Sequence, residues 1–308
     1  MCWLVGFGQW VLVCLLLALT ESGVEYVIFK PIKKIIMKNL TSFSSSLWVT
    51  TNLLVGFALL LPISIISWLI PLPAVSRYCT FLADRIYHIA VTLDTFWMQR
   101  VLGIELVIKG KANTHQTPVV ICNHQSWFDI PLVQHVISGN GPIIKFLVKR
   151  EIVWIPVIGW ICMVLNFPRL RRGKKNSKAE SDFSIIQKAS KGHGKETGAL
   201  LIFPEGTRFS EAKRVNQKVP YLHLLKPKTG GLKMIKQYAN ADISLVDITI
   251  DYHQRNVHIW NCLRANPAKI TITLEHYSLA KIDDIETWLN NRWLEKDKLL
   301  SGQKCDAV

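Results

Sequence analysis

Val119-Val120-Ile121-Cys122-Asn123-His124-Gln125-Ser126-Trp127-Phe128-Asp129-Ile130-Pro131-Leu132 is the segment around which the remaining chain is arranged. Its β-branched opening, Val119 to Ile121, reads as a buried strand. The strand stops at Asn123-His124, and an apolar helical pattern begins just beyond, from about Asp129 to Val136. His124 therefore sits at a strand end, and Asp129 lies about one helical turn further on. This places an imidazole and a carboxylate at the C-terminal edge of a sheet, where open α/β folds put their ligands. A histidine oriented by a carboxylate is a general base for a hydroxyl, the carboxylate fixing its tautomer. Ser126 followed three residues later by Asp129 is also a capping box, which accounts for both residues without chemistry. The segment alone leaves both readings open.

On either side of it the pattern is α/β. Short strands are expected at Ile104–Ile108, Val119–Cys122, Ala199–Phe203, Ile243–Ile250 and Ile270–Leu274. Helices are expected near Lys178–Ala189 and Gly231–Ala239, and a charged amphipathic helix over Asp283–Leu300. No internal repeat or low-complexity tract interrupts them.

The N-terminal third is different in kind. Met1 to Thr20 carries no charge and reads as a membrane helix or a signal peptide, without the basic start of the latter. Lys30, Lys33, Lys34 and Lys38 follow, a cluster expected to stay on the cytoplasmic side. A second apolar stretch, Leu47 to Leu72, is divided by Pro62 and closed by Pro71 and Pro73. It is one kinked span or two short arms of a shallow hairpin; the hairpin is the expectation here, because each half is too short to cross alone. Phe81 to Val101 then reads as an amphipathic helix, with Asp84, His88, Thr92, Thr95 and Gln99 as its polar stripe. It suits a membrane interface or the domain's own core equally well. The organisation expected is thus an apolar extension over residues 1–46, a membrane-associated helical hairpin over 47–101 and an α/β domain over 102–308.

Composition narrows the partners. The 308 residues are 49% hydrophobic yet carry a formal net charge of +15. That combination favours anionic lipid surfaces over nucleic acid, for which no recognisable module is present. Seven cysteines, odd in number and scattered without close pairs, argue against a disulfide framework and a zinc site. They suit a reducing compartment.

A second informative segment is Leu201-Ile202-Phe203-Pro204-Glu205-Gly206-Thr207-Arg208. An apolar strand delivers an acid, a glycine and an arginine into a loop, where glycine allows close backbone approach and arginine offers a planar fork for phosphate. The densest basic cluster, Arg169-Leu170-Arg171-Arg172-Gly173-Lys174-Lys175, lies between the two segments. Most such runs are solvated loops. Together the three stretches supply a base, an orienting acid and anion clamps.

Asn123 to Asp129 has the form of an NHxxxxD motif, and Phe203 to Arg208 that of an FPEGTR motif. Their order and separation resemble the glycerolipid acyltransferase family, which includes the 1-acylglycerol-3-phosphate acyltransferases, over about Leu47 to Leu300. Pro156-Val157-Ile158-Gly159-Trp160, after Lys145, Lys149 and Arg150, is similar to the block that leads into that family's second motif. The motif ends in a phosphate-binding arginine, which by spacing falls on Arg172; Pro168 and Arg169 break the usual lead-in and keep Arg171 as the alternative. A fourth motif is expected near Val246-Asp247-Ile248-Thr249-Ile250. Arg208-Phe209-Ser210-Glu211-Ala212-Lys213, His223-Leu224-Leu225-Lys226-Pro227-Lys228 and Trp293-Leu294-Glu295-Lys296-Asp297 resemble the lysocardiolipin and lysophosphatidate acyltransferase branch, including its bacterial members.

The resemblance implies a mixed sheet flanked by helices behind a membrane-embedded helical segment. It implies transfer of an acyl group from an acyl-CoA or acyl carrier protein thioester to a lysophospholipid hydroxyl, lysophosphatidate first and lysocardiolipin as an alternative. His124 would be the base and Asp129 its orienting acid. Arg172 and Arg208 would bind phosphate, with Glu205, Gly206 and Thr207 shaping the acceptor site; Arg171, Lys213, Lys226 and Lys228 are secondary candidates for phosphate or CoA. No cofactor or metal is expected, because the thioester is already activated, and membrane lipids are the expected surroundings. Met1 to Ile36 has no counterpart in the resemblance, so a chain starting at Met37 is expected to keep membrane binding and activity. A lipid hydrolase using the same His-Asp pair and a non-catalytic membrane-binding protein are the other classes; the second explains charge and greasiness but not two motifs in order.

Overall fold

The computed structural model describes residues 23–111, 118–139, 141–146, 148–149, 154, 157–165, 167, 169–170, 198–238, 243–254 and 257–302. Two long helices come first, α1 (Gly23–Leu69) and α2 (Pro73–Phe96), the latter running into a π-helical turn over Trp97–Val101. The hairpin they form does not turn at Pro62. A single proline deletes one donor and leaves the helical bonds on either side intact, so α1 continues through it, and through residue 46 as well. The turn falls at residues 70–72 instead, where Pro71 and Pro73 each bias the preceding residue out of the helical region; Leu72 is extended, with φ −82° and ψ 133°.

The two helices are tied together by specific contacts. Trp48 stacks on Trp97 at 4.8 Å, Trp97 Nε1 donates to Ser45 Oγ (3.1 Å), and Asn52 Nδ2 donates to Asp94 Oδ1 (2.7 Å) and to the Ala90 carbonyl (3.0 Å). Their outward faces remain apolar, with Phe43, Trp68, Leu69, Phe81, Ile89 and Phe96 all at least half exposed. Ile36–Leu69 is long and apolar enough to cross a membrane, and an 18-residue window within it has a mean hydropathy of 2.1 with 6% of its residues buried.

The rest is built on a six-stranded mixed sheet. Its strands are β1 (Glu105–Lys109), β2 (Val119–Cys122), β3 (Ile144–Phe146), β6 (Ala199–Ile202), β7 (Ser244–Asp251) and β8 (Lys269–Ser278), in the spatial order β1-β8-β7-β2-β6-β3. β7, β2, β6 and β3 are parallel, β8 runs antiparallel to β7, and β1 is parallel to β8. Two short strands, β4 (Val148–Lys149) and β5 (Arg169–Leu170), pair separately. The expected Lys178–Ala189 helix lies outside the described residues.

Alternation along the central strands fills two cores. Val120, Cys122, Leu201, Val246 and Ile248 pack with Met98 and with Leu132 and Val133 of α3 (Asp129–Val133). Val119, Ile121, Leu200 and Leu245 face the opposite way, onto Ile235 of α6 (Gly230–Tyr238) and onto Leu289 and Trp293 of α8 (Ile285–Leu300). Every residue of β2 and β6 is buried, as expected of parallel strands covered on both faces. A third cluster, Leu60, Tyr87, Val91, Cys162, Leu165 and Phe167, joins the hairpin to this body.

Candidate active site

β2 ends by side chain rather than backbone. Asn123 is fully buried, its Nδ2 donating to the Ile250 carbonyl (3.0 Å) and its Oδ1 accepting from Ile250 N (2.9 Å). An asparagine amide imitates a peptide group, so the ladder with β7 is extended while the backbone is released to turn. His124 emerges at that point. Its backbone N donates to Glu205 Oε1 (3.1 Å), its carbonyl accepts from Phe209 N (2.7 Å), and its ring lies flat on Phe203 at 3.9 Å.

The imidazole Nδ1 is 2.8 Å from Asp129 Oδ2, and Asp129 has no solvent exposure. The same oxygen accepts from the backbone N of Gln125 (2.7 Å) and Ser126 (2.9 Å), while Oδ1 accepts from the Tyr252 hydroxyl (2.5 Å). The capping box read from Ser126 and Asp129 does not form as such, because the helix starts later, with Phe128 at its N-cap and no side-chain capping bond. The Asp129 carboxylate instead holds the Gln125–Ser126 backbone and the His124 ring together. A carboxylate already accepting two amide protons has none to give, which assigns the imidazole proton to Nδ1 and leaves Nε2 as the basic nitrogen. Tyr252 is the member that sequence reasoning missed. Its signal was positional: it follows β7 directly, at the same sheet edge where β2 delivers His124. Burial and the adjacent Asp129 push its hydroxyl well above the usual range, which keeps it a donor.

The second segment wraps around this pair. After β6 the chain turns tightly at Phe203–Gly206, with Gly206 N bonded to the Phe203 carbonyl (2.9 Å) and Gly206 at φ +67°, a conformation costly for residues with a side chain. Glu205 is only 1% exposed. Its two oxygens take different backbone amides, Oε1 that of His124 and Oε2 that of Leu225 (3.1 Å). It is a clamp between two backbone segments in this conformation. Burial pushes its carboxyl up to about 8, against the opposing pull of the His124 and Leu225 amides.

Thr207 and Lys213 are joined, Lys213 Nζ reaching Thr207 Oγ1 (2.9 Å) and the Arg208 carbonyl (2.8 Å). Lys213 thus ties down the turn that carries Arg208. Arg208 itself is exposed, its guanidinium 4.9 Å from the ring centroid of Trp127. Lys226 and Lys228 are also exposed and border a separate surface cavity with Gln217, Thr229, Gly230 and Asn290. Arg171 and Arg172 lie outside the described residues. Ser126 is 1% exposed and accepts from Phe128 N (3.3 Å), a structural position rather than that of an open nucleophile. Cys122 is fully buried, and burial pushes its thiol well up. Among the described residues no three His, Cys, Asp or Glu side chains converge as a metal-binding group.

A hydrogen-bonded His124–Asp129 pair at the carboxyl ends of parallel strands, beside an arginine-bearing turn, fits group transfer to or from a hydroxyl. Residues 104–251 match the family model described as acyltransferase. Among curated relatives it is 27% identical over 198 residues to a 1-acyl-sn-glycerol-3-phosphate acyltransferase of Cocos nucifera, covering 63% of this chain and 56% of the relative. It is 25% identical over 245 residues to lysocardiolipin acyltransferase 1 of Danio rerio, covering 73% and 62%. The chain thus spans about 56–62% of the length of these relatives. In fold it resembles the 1-acyl-sn-glycerophosphate acyltransferase PlsC of Thermotoga maritima, with a TM-score of 0.54 over 90% of this chain and 99% of that one, at 16% identity.

Proposed function

We propose that this protein transfers an acyl group from an acyl thioester, carried by CoA or acyl carrier protein, to the free hydroxyl of a lysophospholipid, with lysophosphatidate as the first acceptor to test. The observation that carries the proposal is the His124 Nδ1–Asp129 Oδ2 contact of 2.8 Å with the carboxylate wholly buried. The names of the relatives, a 1-acyl-sn-glycerol-3-phosphate acyltransferase and a lysocardiolipin acyltransferase, support the acceptor class.

In the proposed reaction His124 Nε2 takes the acceptor hydroxyl proton as that oxygen bonds to the thioester carbonyl carbon. The tetrahedral adduct collapses, the carbon–sulfur bond breaks, and the departing thiolate takes the proton from the imidazolium. Asp129 stabilises that imidazolium across their hydrogen bond. Attack is direct, so no acyl-enzyme forms and neither Ser126 nor Cys122 is required. Arg208 and Arg172, with Arg171 as alternative to the latter, bind the acceptor phosphate. Glu205 and Gly206 hold the backbone around it. No cofactor or metal enters these steps. The lysine cluster at Lys30–Lys38 supports a catalytic domain on the cytoplasmic face of the membrane, the inner membrane in a bacterium.

The test is a thioester transfer assay with oleoyl-CoA and a panel of lysolipids, read by mass spectrometry. Diacylated phospholipid and free CoA in equal amounts, dependent on the acceptor, is the expected result. Free fatty acid released without acylated lipid, whether or not the acceptor is present, identifies a hydrolase and overturns the proposal.

A further inference from the structure

The C-terminal helix α8 lies beyond the residues matched by the family model, yet it reaches the site through the backbone. Asp297, on the last turn of α8, directs its carboxylate at the segment that follows α5 (Glu211–Gln217). Its Oδ1 accepts from Leu222 N (3.0 Å) and His223 N (2.7 Å), and its Oδ2 from Leu222 N (2.9 Å). Two residues further on, Leu225 N donates to Glu205 Oε2, and the other oxygen of Glu205 holds the backbone N of His124. The segment has little freedom to rearrange between these points. Tyr221, Leu224 and Leu225 are buried, and Lys228 N is bonded to the Pro204 carbonyl (2.8 Å). Asp297 is itself 9% exposed.

We propose that Asp297 is a positioning residue for acyl transfer, seating the 222–225 segment so that Leu225 holds Glu205, and Glu205 in turn holds the His124 backbone. The inference rests on the proposed acyl transfer and on Glu205 belonging to its acceptor site. Lys296, the preceding residue, reinforces the arrangement from beneath. Its ammonium is fully buried, pairs with Asp247, donates to the Ile248 carbonyl (2.8 Å) and lies over Trp293 at 4.6 Å. The last turn of α8 is thereby fixed to β7, the strand that also bonds Asn123, and Asp297 projects from a rigid base. The route from helix to catalytic histidine uses one side chain at each end and peptide groups between, so it depends on the carboxylate at residue 297 and not on packing volume.

The experiment is steady-state kinetics of the full chain with lysophosphatidate and oleoyl-CoA, each varied in turn. The variants are Asp297→Ala, Asp297→Asn, Glu205→Gln and the double variant Asp297→Ala with Glu205→Gln. Asp284→Ala serves as control, because Asp284 caps the far end of α8 by accepting from Glu286 N and Thr287 N. Its loss weakens the helix without touching the 222–225 segment. Asp297→Ala should raise the KM for lysophosphatidate about tenfold, with the KM for oleoyl-CoA within about twofold. Asp297→Asn, which keeps an acceptor oxygen, should recover part of the loss. Adding Asp297→Ala to Glu205→Gln should cost less than about twofold more, the non-additivity expected of residues acting in series. Asp284→Ala should leave both KM values unchanged. If Glu205→Gln is harmful and Asp297→Ala multiplies its effect independently, Asp297 does not act through Glu205 and the inference falls alone. The same holds if Asp284→Ala reproduces the Asp297→Ala kinetics, since helix stability would then be the cause. If Glu205→Gln leaves transfer unchanged, the placing of Glu205 in the acceptor site falls, and the inference with it.

Discussion

Asp129 and Asp247 are buried carboxylates on either side of the same sheet, and they are held in opposite ways. Asp247, in β7, faces α8 and is met by cations: Arg292 Nε lies 2.9 Å from its Oδ2, and the Lys296 ammonium pairs with its Oδ1. Arg292 also pairs with Glu275 (2.7 Å) and Glu295. Among the described residues Asp129 meets only dipoles: two backbone amides, a phenol and an imidazole. A carboxylate matched by lysine and arginine is already neutralised and has nothing left to offer a reaction. In the proposed reaction, one held by neutral donors keeps its charge in reserve for the imidazolium formed when His124 accepts a proton. Burial and residue type are the same; the neighbours separate a structural acid from the one proposed to serve catalysis.

Exchanging the two carboxylates for amides should break the comparison in two different ways. Asp129→Asn should lower turnover by on the order of 10³–10⁴-fold, as loss of the orienting acid does in related triads, with the larger share in rate rather than unfolding. Asp247→Asn leaves two buried cations short of their partner and should cost about 3–5 kcal/mol of stability. Its folded fraction should lose far less turnover. Thermal unfolding and turnover measured on the same preparations check both halves.

The arginines repeat the contrast. Arg292 is engaged by three carboxylates, whereas among the described residues no carboxylate pairs with Arg208, which rests on the face of Trp127. Its charge is available to a phosphate. Arg208→Ala should weaken use of lysophosphatidate by ~2–5 kcal/mol, as truncating one partner of a desolvated charge pair does, and use of the donor much less. Arg208→Lys should remain impaired, because a point charge cannot reproduce a bidentate fork. Arg172→Ala should behave like Arg208→Ala, with Arg171→Ala as the neighbouring control. Kinetics with each substrate varied in turn decide it; a rise confined to the KM for the thioester would move these arginines to the donor's phosphates.

Tyr252→Phe sharpens the account of Asp129 further. It removes one of four donors with little change of shape, and a hydrogen bond to a charged acceptor is worth about 1.5–3 kcal/mol. A fall in turnover of roughly tenfold or more is expected, with the KM values nearly constant.

Glu205 stands between the two acids, buried like Asp247 but, among the described residues, without a paired cation. The folded chain holds its carboxyl proton up to about 8, whereas an unfolded chain releases it near the ordinary carboxylate value of 4.5. The folded state therefore binds more protons than the unfolded one across that window, and Glu205 makes stability fall as pH rises from about 4.5 towards 8. Glu205→Gln should remove this component and flatten the dependence, most visibly near pH 8. Chemical denaturation of both proteins at pH 5 and pH 8 measures it.

Much of this was legible in the residues. Val119–Cys122 was readable because a fully apolar β-branched run is what a doubly covered parallel strand requires. The His124–Asp129 pair followed from where that run stops. The hairpin turn was misplaced because one proline inside an apolar helix was given the weight of two flanking a short turn. Ile144–Phe146 was missed because three residues are too few to show a period. Tyr252 and the Leu225 amide could not be read locally, since each reaches the site from more than a hundred residues along the chain or through a backbone group that every residue carries. The contacts of Asp297 are of the same kind.

The proposed acyl transfer depends above all on His124 acting as a base. His124→Ala should be compared with the unaltered protein in the oleoyl-CoA and lysophosphatidate assay, with phosphatidate and free CoA quantified by mass spectrometry and folding checked by thermal unfolding. The expected result is a loss of at least ~10²–10⁴-fold in turnover with the unfolding midpoint preserved. A folded His124→Ala protein that still makes phosphatidate at close to the unaltered rate would contradict it.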